Sequence, residues 1–266
     1  MIFAKFRAVR RVYAKIMRER FGARNPESMR LRFHCQTAAA SLTKPQPKIN
    51  IVRTGLQALA AVLGGAQSLH TNGMDEAFAI PTEEAMKIAL RTQQIVADES
   101  GVANVVDPMG GSYFVESLTT QFEQDILRVL DEVERRGGTV KLIEEGWFQQ
   151  RIADFAYETV KRKASGDKPV IGVNRHVEPD ERFDVEIHPY DPTTAERQIA
   201  RLHRVRRERD NAKVAALLDR LAAVAADESQ NIMPVTIDLV AAGASMGDIV
   251  ERLKGLWGIY RERPVF

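Results

Sequence analysis

The chain has 266 residues, of which 44% are hydrophobic and 28% are charged, and its formal net charge is +2. This composition is that of a soluble globular protein with one large domain or two ordinary ones, and the small charge gives no drive towards nucleic acid. No apolar run approaches the length of a membrane span, and a single cysteine, Cys35, excludes an internal disulfide framework. We therefore expect a cytoplasmic protein that binds neither membrane nor nucleic acid.

The first part of the chain alternates between helical and strand patterns. Hydrophobic residues recur at three- and four-residue spacing over residues 3–21, which predicts a helix that ends at Gly22. Residues 29–37 alternate between apolar and polar side chains, as a strand does. Residues 51–63 return to the helical period, and residues 66–70 are typical of a short second strand.

Two more elements repeat this order. Residues 81–84 place a proline and two acidic residues where a helix begins, and residues 102–106 are typical of a third strand. A loop at residues 107–111 follows, and Ser112 is expected to cap a long helix that ends at Gly137.

Polar side chains are concentrated near the ends of the predicted strands. Alternating strands and helices imply parallel strands with right-handed crossovers. In a (β/α)8 barrel the functional groups lie at the carboxyl ends of the strands, which suits His34, Gln36 and the segments 67–76 and 107–112. Three such units cannot close a barrel alone, and an open doubly wound sheet is the other architecture that this order permits.

The remainder of the chain is predicted to be mainly helical, with a connecting region at residues 139–178. Helices are predicted at residues 148–163, 194–226, 234–242 and 245–260. Between the first two, residues 169–173 are expected to form an extended arm. The predicted domains are residues 1–178 and a helical C-terminal extension at residues 179–266.

Residues 67–81 are the most informative segment. Amide, imidazole, carboxylate and hydroxyl groups occur there together, and Leu69, Met74, Phe78 and Ile80 interleave with them. This mixture indicates a partly buried segment, in which a cluster of polar groups is costly unless it serves a ligand. The histidines form no pair with cysteine at metal-ligand spacing, so no metal site is predicted.

Three blocks of sequence resemble one protein family. They are RFHCQTAAASLTKPQPKINIVRT at residues 32–54, GGAQSLHTNGMDEAFAIPTEEAMKIALRTQQI at residues 64–95 and VVDPMGGSYFVESLT at residues 105–119. These blocks are similar to the sixth, seventh and eighth strand–loop units of cobalamin-dependent acyl-CoA mutases, the methylmalonyl-CoA mutase family. The resemblance implies an α/β fold, namely the second part of a (β/α)8 TIM barrel (about three βα units) followed by a helical tail.

The resemblance also implies a chemistry and a set of site residues. Family members isomerise acyl-CoA thioesters by a radical carbon-skeleton rearrangement with adenosylcobalamin, inside a sealed barrel threaded by coenzyme A. The implied cofactor-binding residues, which face the corrin, are Gln36, Ala39, Glu76, Ala77 and Ala79. The residues implied to bind the substrate and coenzyme A are His34, Gln67, Ser68 and His70.

Other parts of the family's site have no match in this sequence. The Tyr-His pair that contacts the migrating group, the arginines that read the acyl carboxylate and the Asp-x-His-x-x-Gly cobalt-ligand motif are absent. No catalytic residue is therefore assigned here. Ala39 stands where a glycine is usual, and Lys44, Pro45 and Ile49 replace residues that are typically polar.

These gaps imply partners. We expect a chain that carries the N-terminal half-barrel, a small cobalamin-binding subunit and an acyl-CoA substrate, with no activity from this chain alone. The alternative is a non-catalytic scaffold or interaction protein derived from a mutase half-barrel.

Overall fold

A computed structural model describes residues 2–179 and 185–262. The chain divides into two compact units, with the boundary between His188 and Pro189. Within the described residues helices dominate both units, and the sheet lies in the first. The chain is thus a helix-rich α/β protein, as the sequence predicts. No helix in the described ranges is long and apolar enough to cross a membrane.

The first unit contains a small parallel sheet and a set of helices. Its strands are β1 (His34–Gln36) and β2 (Ser68–His70). Its helices are α1 (Ile2–Glu19), α2 (Ile49–Leu63), α3 (Glu83–Asp98), α4 (Tyr113–Arg135), α5 (Thr139–Glu144) and α6 (Trp147–Ala164). The strands pair in parallel, with His34 opposite Ser68 and Gln36 opposite His70. A strand–helix–strand crossover through α2 produces this arrangement.

The prediction of a third strand at residues 102–106 is wrong. Val102–Asn104 forms a 3-10 turn, and the valines at 105 and 106 are exposed. The backbone turns at both ends of this stretch, since Gly101 has a φ of 70° and Asp107 has a φ of 50°. Pro108 follows and has no N–H to donate to a strand ladder. The apolar run is therefore too short to pair, and the segment 107–112 does not follow a strand.

Local acceptors set where the helices begin. Helix α3 begins at Glu83, within the start predicted at residues 81–84. Thr82 caps it, because the threonine hydroxyl oxygen accepts a backbone N–H of the first turn at 3.2 Å. Ser112 occupies the cap position of α4, as predicted, but its side chain makes no capping hydrogen bond. The Glu116 carboxylate accepts the N–H of Gly111, the residue before the cap position, at 3.0 Å.

Helix α1 packs against α4 through an apolar core and an ion network. The buried core residues of this contact are Phe3, Ala4 and Val115. Arg7 Nη2 lies 2.8 Å from Asp107 Oδ2 and 2.8 Å from Glu116 Oε1. The hydrogen bond from Arg7 and that from the Gly111 N–H lower the pKa of Glu116 from 4.5 to about 2. The network ties the loop at residues 107–111 to α1.

The region after α4 departs from expectation in two places. Helix α5 was not predicted, because its six residues are too few to show a clear period. The predicted extended arm is a tight turn that an isolated bridge between Ile171 and Arg175 closes. Asn174 causes the turn, since its side chain accepts the Val170 N–H at 2.6 Å and donates back to the end of α6.

The second unit is helical throughout its described residues. Its helices are α7 (Thr194–Glu208), α8 (Asn211–Ala225), α9 (Met233–Ala241) and α10 (Met246–Trp257). Its buried apolar core consists of Val214, Leu221, Val235 and Leu239. The helical stretch predicted at 194–226 is interrupted at Asp210, whose carboxylate accepts the Lys213 N–H at 2.9 Å and caps α8.

Candidate functional site

One face of the small sheet carries the predicted polar residues. Side chains alternate along a strand, so the parallel register places His34 and Gln36 beside Ser68 and His70 on one face. The neighbouring Phe33 packs on α1 instead, with its ring centroid 5.2 Å from that of a phenylalanine in that helix. The polar face is open, because His34, Gln36 and Ser68 are exposed and His70 is half-buried.

A contact across the strands joins two predicted substrate residues. His34 Nδ1 lies 2.8 Å from Ser68 Oγ, and the tautomer of the imidazole decides which group donates. Either way, the contact holds the imidazole on the open face of the sheet.

Gln67 behaves differently from the other predicted substrate residues. Its Oε1 accepts the Phe33 N–H at 2.8 Å, and its Nε2 donates to Gly65 O at 2.6 Å. The side chain therefore continues the pairing of the strands at the amino end of the sheet, and both of its polar atoms contact the protein itself.

The carboxyl ends of the strands are joined by a buried pair. The Thr37 hydroxyl donates to Asn72 Oδ1 at 2.6 Å and accepts the Asn72 N–H at 3.0 Å. Thr37 is 4% exposed and Asn72 is 2% exposed. Asn72 Nδ2 is also buried and has no hydrogen-bond partner among the described residues.

The loop between β2 and α3 is buried at its base. Asp75, which is 2% exposed, accepts the Thr82 N–H through Oδ2 at 2.8 Å and so anchors the start of α3. The Thr71 hydroxyl, also buried, donates to Ala89 O at 2.7 Å. These bonds hold both ends of the loop against α3, which confirms the prediction that the segment is partly buried.

The predicted cofactor residues of this loop lie at its half-buried tip. Glu76, Ala77 and Ala79 are all partly exposed, and the backbone turns there through a bond from the Phe78 N–H to Asp75 O at 2.8 Å. The Glu76 carboxylate makes no ion pair or side-chain hydrogen bond within the ranges that the structure describes. It is therefore available as an acceptor beside two small side chains.

Ala39 lies in the other loop, between β1 and α2, in the 3-10 turn Ala39–Ser41. The residue is exposed and does not have a positive φ. Its backbone conformation is therefore one that alanine adopts without strain, and glycine is not required there for conformational reasons.

Sequence reasoning assigned no role to several buried polar residues of these loops: Thr37, Asn50, Asn72 and Asp75. For two of them, the position in the chain could have indicated a role. Thr37 directly follows β1 and Asn72 closely follows β2, where polar groups of parallel α/β folds meet. Their burial and their partners arise from contacts between distant segments, which the local pattern does not contain.

The site offers hydrogen bonds and little charge. Amide, hydroxyl and imidazole groups dominate the sheet face and strand ends, and Glu76 adds one carboxylate. No cluster of His, Cys, Asp and Glu in the described part of the chain is arranged to hold a metal ion. Such a surface suits a ligand rich in amide and carbonyl groups.

The fold is that of a helix-rich α/β protein, and its candidate ligand site lies at the carboxyl ends of two parallel strands. The sequence model of one family, methylmalonyl-CoA mutase, matches residues 1–259. The chain belongs to the methylmalonyl-CoA mutase family.

Two relatives show how much of a mutase the chain covers. It is 76% identical over 263 residues to the 2-hydroxyisobutanoyl-CoA mutase large subunit of Aquincola tertiaricarbonis, a match that covers 99% of this chain and 47% of that subunit. It is 39% identical over 262 residues to the mitochondrial methylmalonyl-CoA mutase of Homo sapiens, with 98% and 35% covered. The chain thus spans about half the length of the first relative and about a third of the second.

Proposed function

We propose that this chain is the second part of a (β/α)8 barrel in an adenosylcobalamin-dependent acyl-CoA mutase, an isomerase that rearranges the carbon skeleton of an acyl-CoA. The observation that carries the proposal is the open polar face formed by His34, Gln36, Ser68 and His70 beside the tip of the β2–α3 loop. Family membership supports the class of reaction. The relative with 76% identity is named for 2-hydroxyisobutanoyl-CoA, which we propose as the acyl-CoA to test first.

The residues at the strand ends fit a corrin, a flat ring whose edge carries amide groups. The exposed Gln36 amide offers donors, and the Glu76 carboxylate offers an acceptor. Ala77 and Ala79 are small enough for a flat ring to approach the backbone. These features supply the donor, the acceptor and the space that such a ring requires.

We assign the cofactor contacts to Gln36, Ala39, Glu76, Ala77 and Ala79. When bound, adenosylcobalamin would supply the radical chemistry of the rearrangement. The protein's part is to accept hydrogen bonds through Glu76, to donate them through Gln36 and to exclude water with the loops around them.

We assign the acyl-CoA side of the site to His34, Ser68 and His70, which would orient the thioester and pantetheine by hydrogen bonds. The contact between His34 and Ser68 at 2.8 Å fixes this pair before a ligand arrives. We also assign Gln67 to this side of the site. Its hydrogen bonds to Phe33 and Gly65 maintain the strand pairing beside His34 and Ser68.

We further propose that the remaining strands of the barrel and a small cobalamin-binding subunit complete the site, in a cytoplasmic assembly with domains at residues 1–178 and 179–266. The first relative is named a large subunit, which supports the proposal that a second, smaller subunit takes part. The chain's coverage of 47% of that relative supports the need for further strands.

Co-purification from native cells, followed by identification of the partners and an isomerase assay, tests the proposal. We expect the complete complex to bind adenosylcobalamin and convert 2-hydroxyisobutanoyl-CoA, and this chain alone to convert nothing. A stable complex that neither binds the cofactor nor converts any acyl-CoA would overturn the enzyme and favour a scaffold.

A further inference from the structure

One buried side chain joins the two loops that carry the proposed cofactor residues other than Gln36, which lies in β1. These are the β1–α2 loop (residues 37–48) and the β2–α3 loop (residues 71–82). Asn50, in the first turn of α2, is 0% exposed. Its Nδ2 donates to Thr43 O at 2.9 Å and to Met74 O at 3.0 Å, so a single amide nitrogen holds the backbone of both loops.

The oxygen of the same side chain is also fully used. Asn50 Oδ1 accepts the Thr43 N–H at 3.1 Å and Arg53 Nη1 at 2.8 Å. An asparagine side chain has two donor hydrogens and two acceptor positions, and all four are engaged here. No other side chain of this size can satisfy both loops at once, and losing a partner leaves a buried polar group unpaired.

Arg53 extends the connection to a third segment. Its Nη2 donates to Ile171 O at 2.7 Å, in the turn after α6, and its Nη1 also donates to the Thr43 hydroxyl at 2.7 Å. Burial lowers the pKa of Arg53. Within the described residues, the guanidinium donates hydrogen bonds only to neutral oxygens. One of them is Asn50 Oδ1, so Arg53 also fixes the orientation of the Asn50 side chain.

Two further contacts cross between the loops. Lys44 Nζ lies 6.0 Å from the centroid of the Phe78 ring, and Thr37 bonds Asn72 at the strand ends. The first connects side chains only, and in the second the Thr37 hydroxyl also accepts the Asn72 N–H at 3.0 Å. Asn50 differs from both because it bonds the backbone of each loop, at Thr43 and at Met74. Backbone bonds matter more for placement here, because Met74 lies two positions before Glu76.

We propose that Asn50 is a positioning residue that fixes the two loops relative to each other, and so places Ala39 on one side of the cofactor and Glu76, Ala77 and Ala79 on the other. The cofactor part of this inference rests on the proposed function. The part that concerns the loops rests on the hydrogen bonds of Asn50 and does not depend on the proposed function.

The test is Asn50→Asp, made in the complete mutase that contains this chain. Aspartate keeps the shape and both acceptor positions but removes the donors to Thr43 O and Met74 O. Asn174→Asp is the matched control, because Asn174 Nδ2 also donates to two carbonyls, Lys163 O at 2.7 Å and Lys168 O at 2.9 Å. Among the described residues, the Asn174 side chain makes no hydrogen bond to either loop.

Two readouts are measured for each variant. Amide hydrogen exchange reports the opening of residues 37–48 and 71–82, and the absorbance change on titration with adenosylcobalamin reports the apparent Kd. For Asn50→Asp we expect faster exchange in both loops, unchanged exchange in the middle of α2, and a Kd raised about tenfold, which is ~1.4 kcal/mol. For Asn174→Asp we expect the wild-type Kd and wild-type exchange in residues 71–82.

The two readouts separate this inference from the proposed function. Unchanged exchange in the β2–α3 loop of Asn50→Asp would overturn the link, whatever the cofactor does. Faster exchange with a wild-type Kd would overturn the positioning role towards the cofactor. If the wild-type complex binds no adenosylcobalamin, the proposed function fails and the positioning role fails with it, while the exchange data still decide the link.

Discussion

Two loops of the first unit each lead into a long helix, and opposite kinds of contact hold them. Buried groups hold the β2–α3 loop: Asn72 and Asp75 are each 2% exposed and bond to uncharged partners. The loop at residues 107–111 is held by Arg7, which bridges the half-exposed carboxylates of Asp107 and Glu116. The first arrangement depends on burial and the second on charge.

This difference supports the proposal that the β2–α3 loop, and not the loop at residues 107–111, holds a ligand. Buried hydrogen bonds are screened little by salt, and those of Asn72 and Asp75 hold the base of the loop below the tip that carries Glu76. Charged pairs near the surface are screened by salt and weaken when a carboxylate is protonated. They are sufficient to close a turn, and the loop at residues 107–111 has no buried polar side chain directed at a ligand among those described.

The largest expected effect comes from removing a buried carboxylate. Asp75→Ala removes the acceptor of the Thr82 N–H, and a buried donor left unsatisfied should lower the free energy of unfolding by about 3 kcal/mol. Asp107→Ala removes an acceptor on the exposed loop and should cost about 1 kcal/mol or less. Urea denaturation of both variants in the complete mutase measures the difference. Equal losses would show that burial does not distinguish the loops.

A smaller effect is expected from crowding the same loop base. A Cβ on Gly73 would lie 2.6 Å from Asp75 Oδ1 and 3.3 Å from Pro81 Cβ, so Gly73→Ala should cost about 1–2 kcal/mol as the packed groups shift. Gly255→Ala in α10 is the control, since its added methyl meets nothing within 4 Å. There we expect a gain of about 0.5–1 kcal/mol from helix propensity. A neutral Gly73→Ala variant would indicate a loosely packed loop.

The smallest effect concerns acid and the charged loop. The pKa of Glu116 is lowered from 4.5 to about 2, so its ionised form stabilises the folded state above pH 4.5 and this contribution is lost as the pH falls towards 2. Wild type should therefore exceed Glu116→Gln in unfolding free energy at neutral pH, and the gap should close across that window. A gap that stays constant with pH would mean that the carboxylate acts by packing alone.

Most of the helices and the shared face of the site were predictable, because local periodicity encodes both. Alternation along each strand is enough to put His34 with Gln36 and Ser68 with His70, and parallel pairing then brings the two sets together. The absence of a strand at residues 102–106 was not predictable, because the apolar run there does not reveal that the backbone turns at Gly101 and Asp107.

The buried base of the site was also beyond local reasoning. Asn50 is an ordinary polar residue in an amphipathic helix until Met74, 24 positions later, comes within 3.0 Å of its amide. The side chain of Gln67 has the right chemistry for a substrate contact, yet the strand pairing uses both of its polar atoms. Contacts between distant segments decide both outcomes.

The affinity of the complete complex for adenosylcobalamin, compared between wild type and Glu76→Gln, tests the central claim most directly. Charge-assisted hydrogen bonds are worth roughly 1.5–3 kcal/mol, so Glu76→Gln should raise the apparent Kd by about one to two decades at ~1.4 kcal/mol per decade without affecting assembly. Glu83→Gln, in the exposed first turn of α3, should bind as wild type does. If Glu76→Gln assembles and binds the cofactor with wild-type affinity, Glu76 is not a cofactor ligand and the β2–α3 loop does not face the corrin.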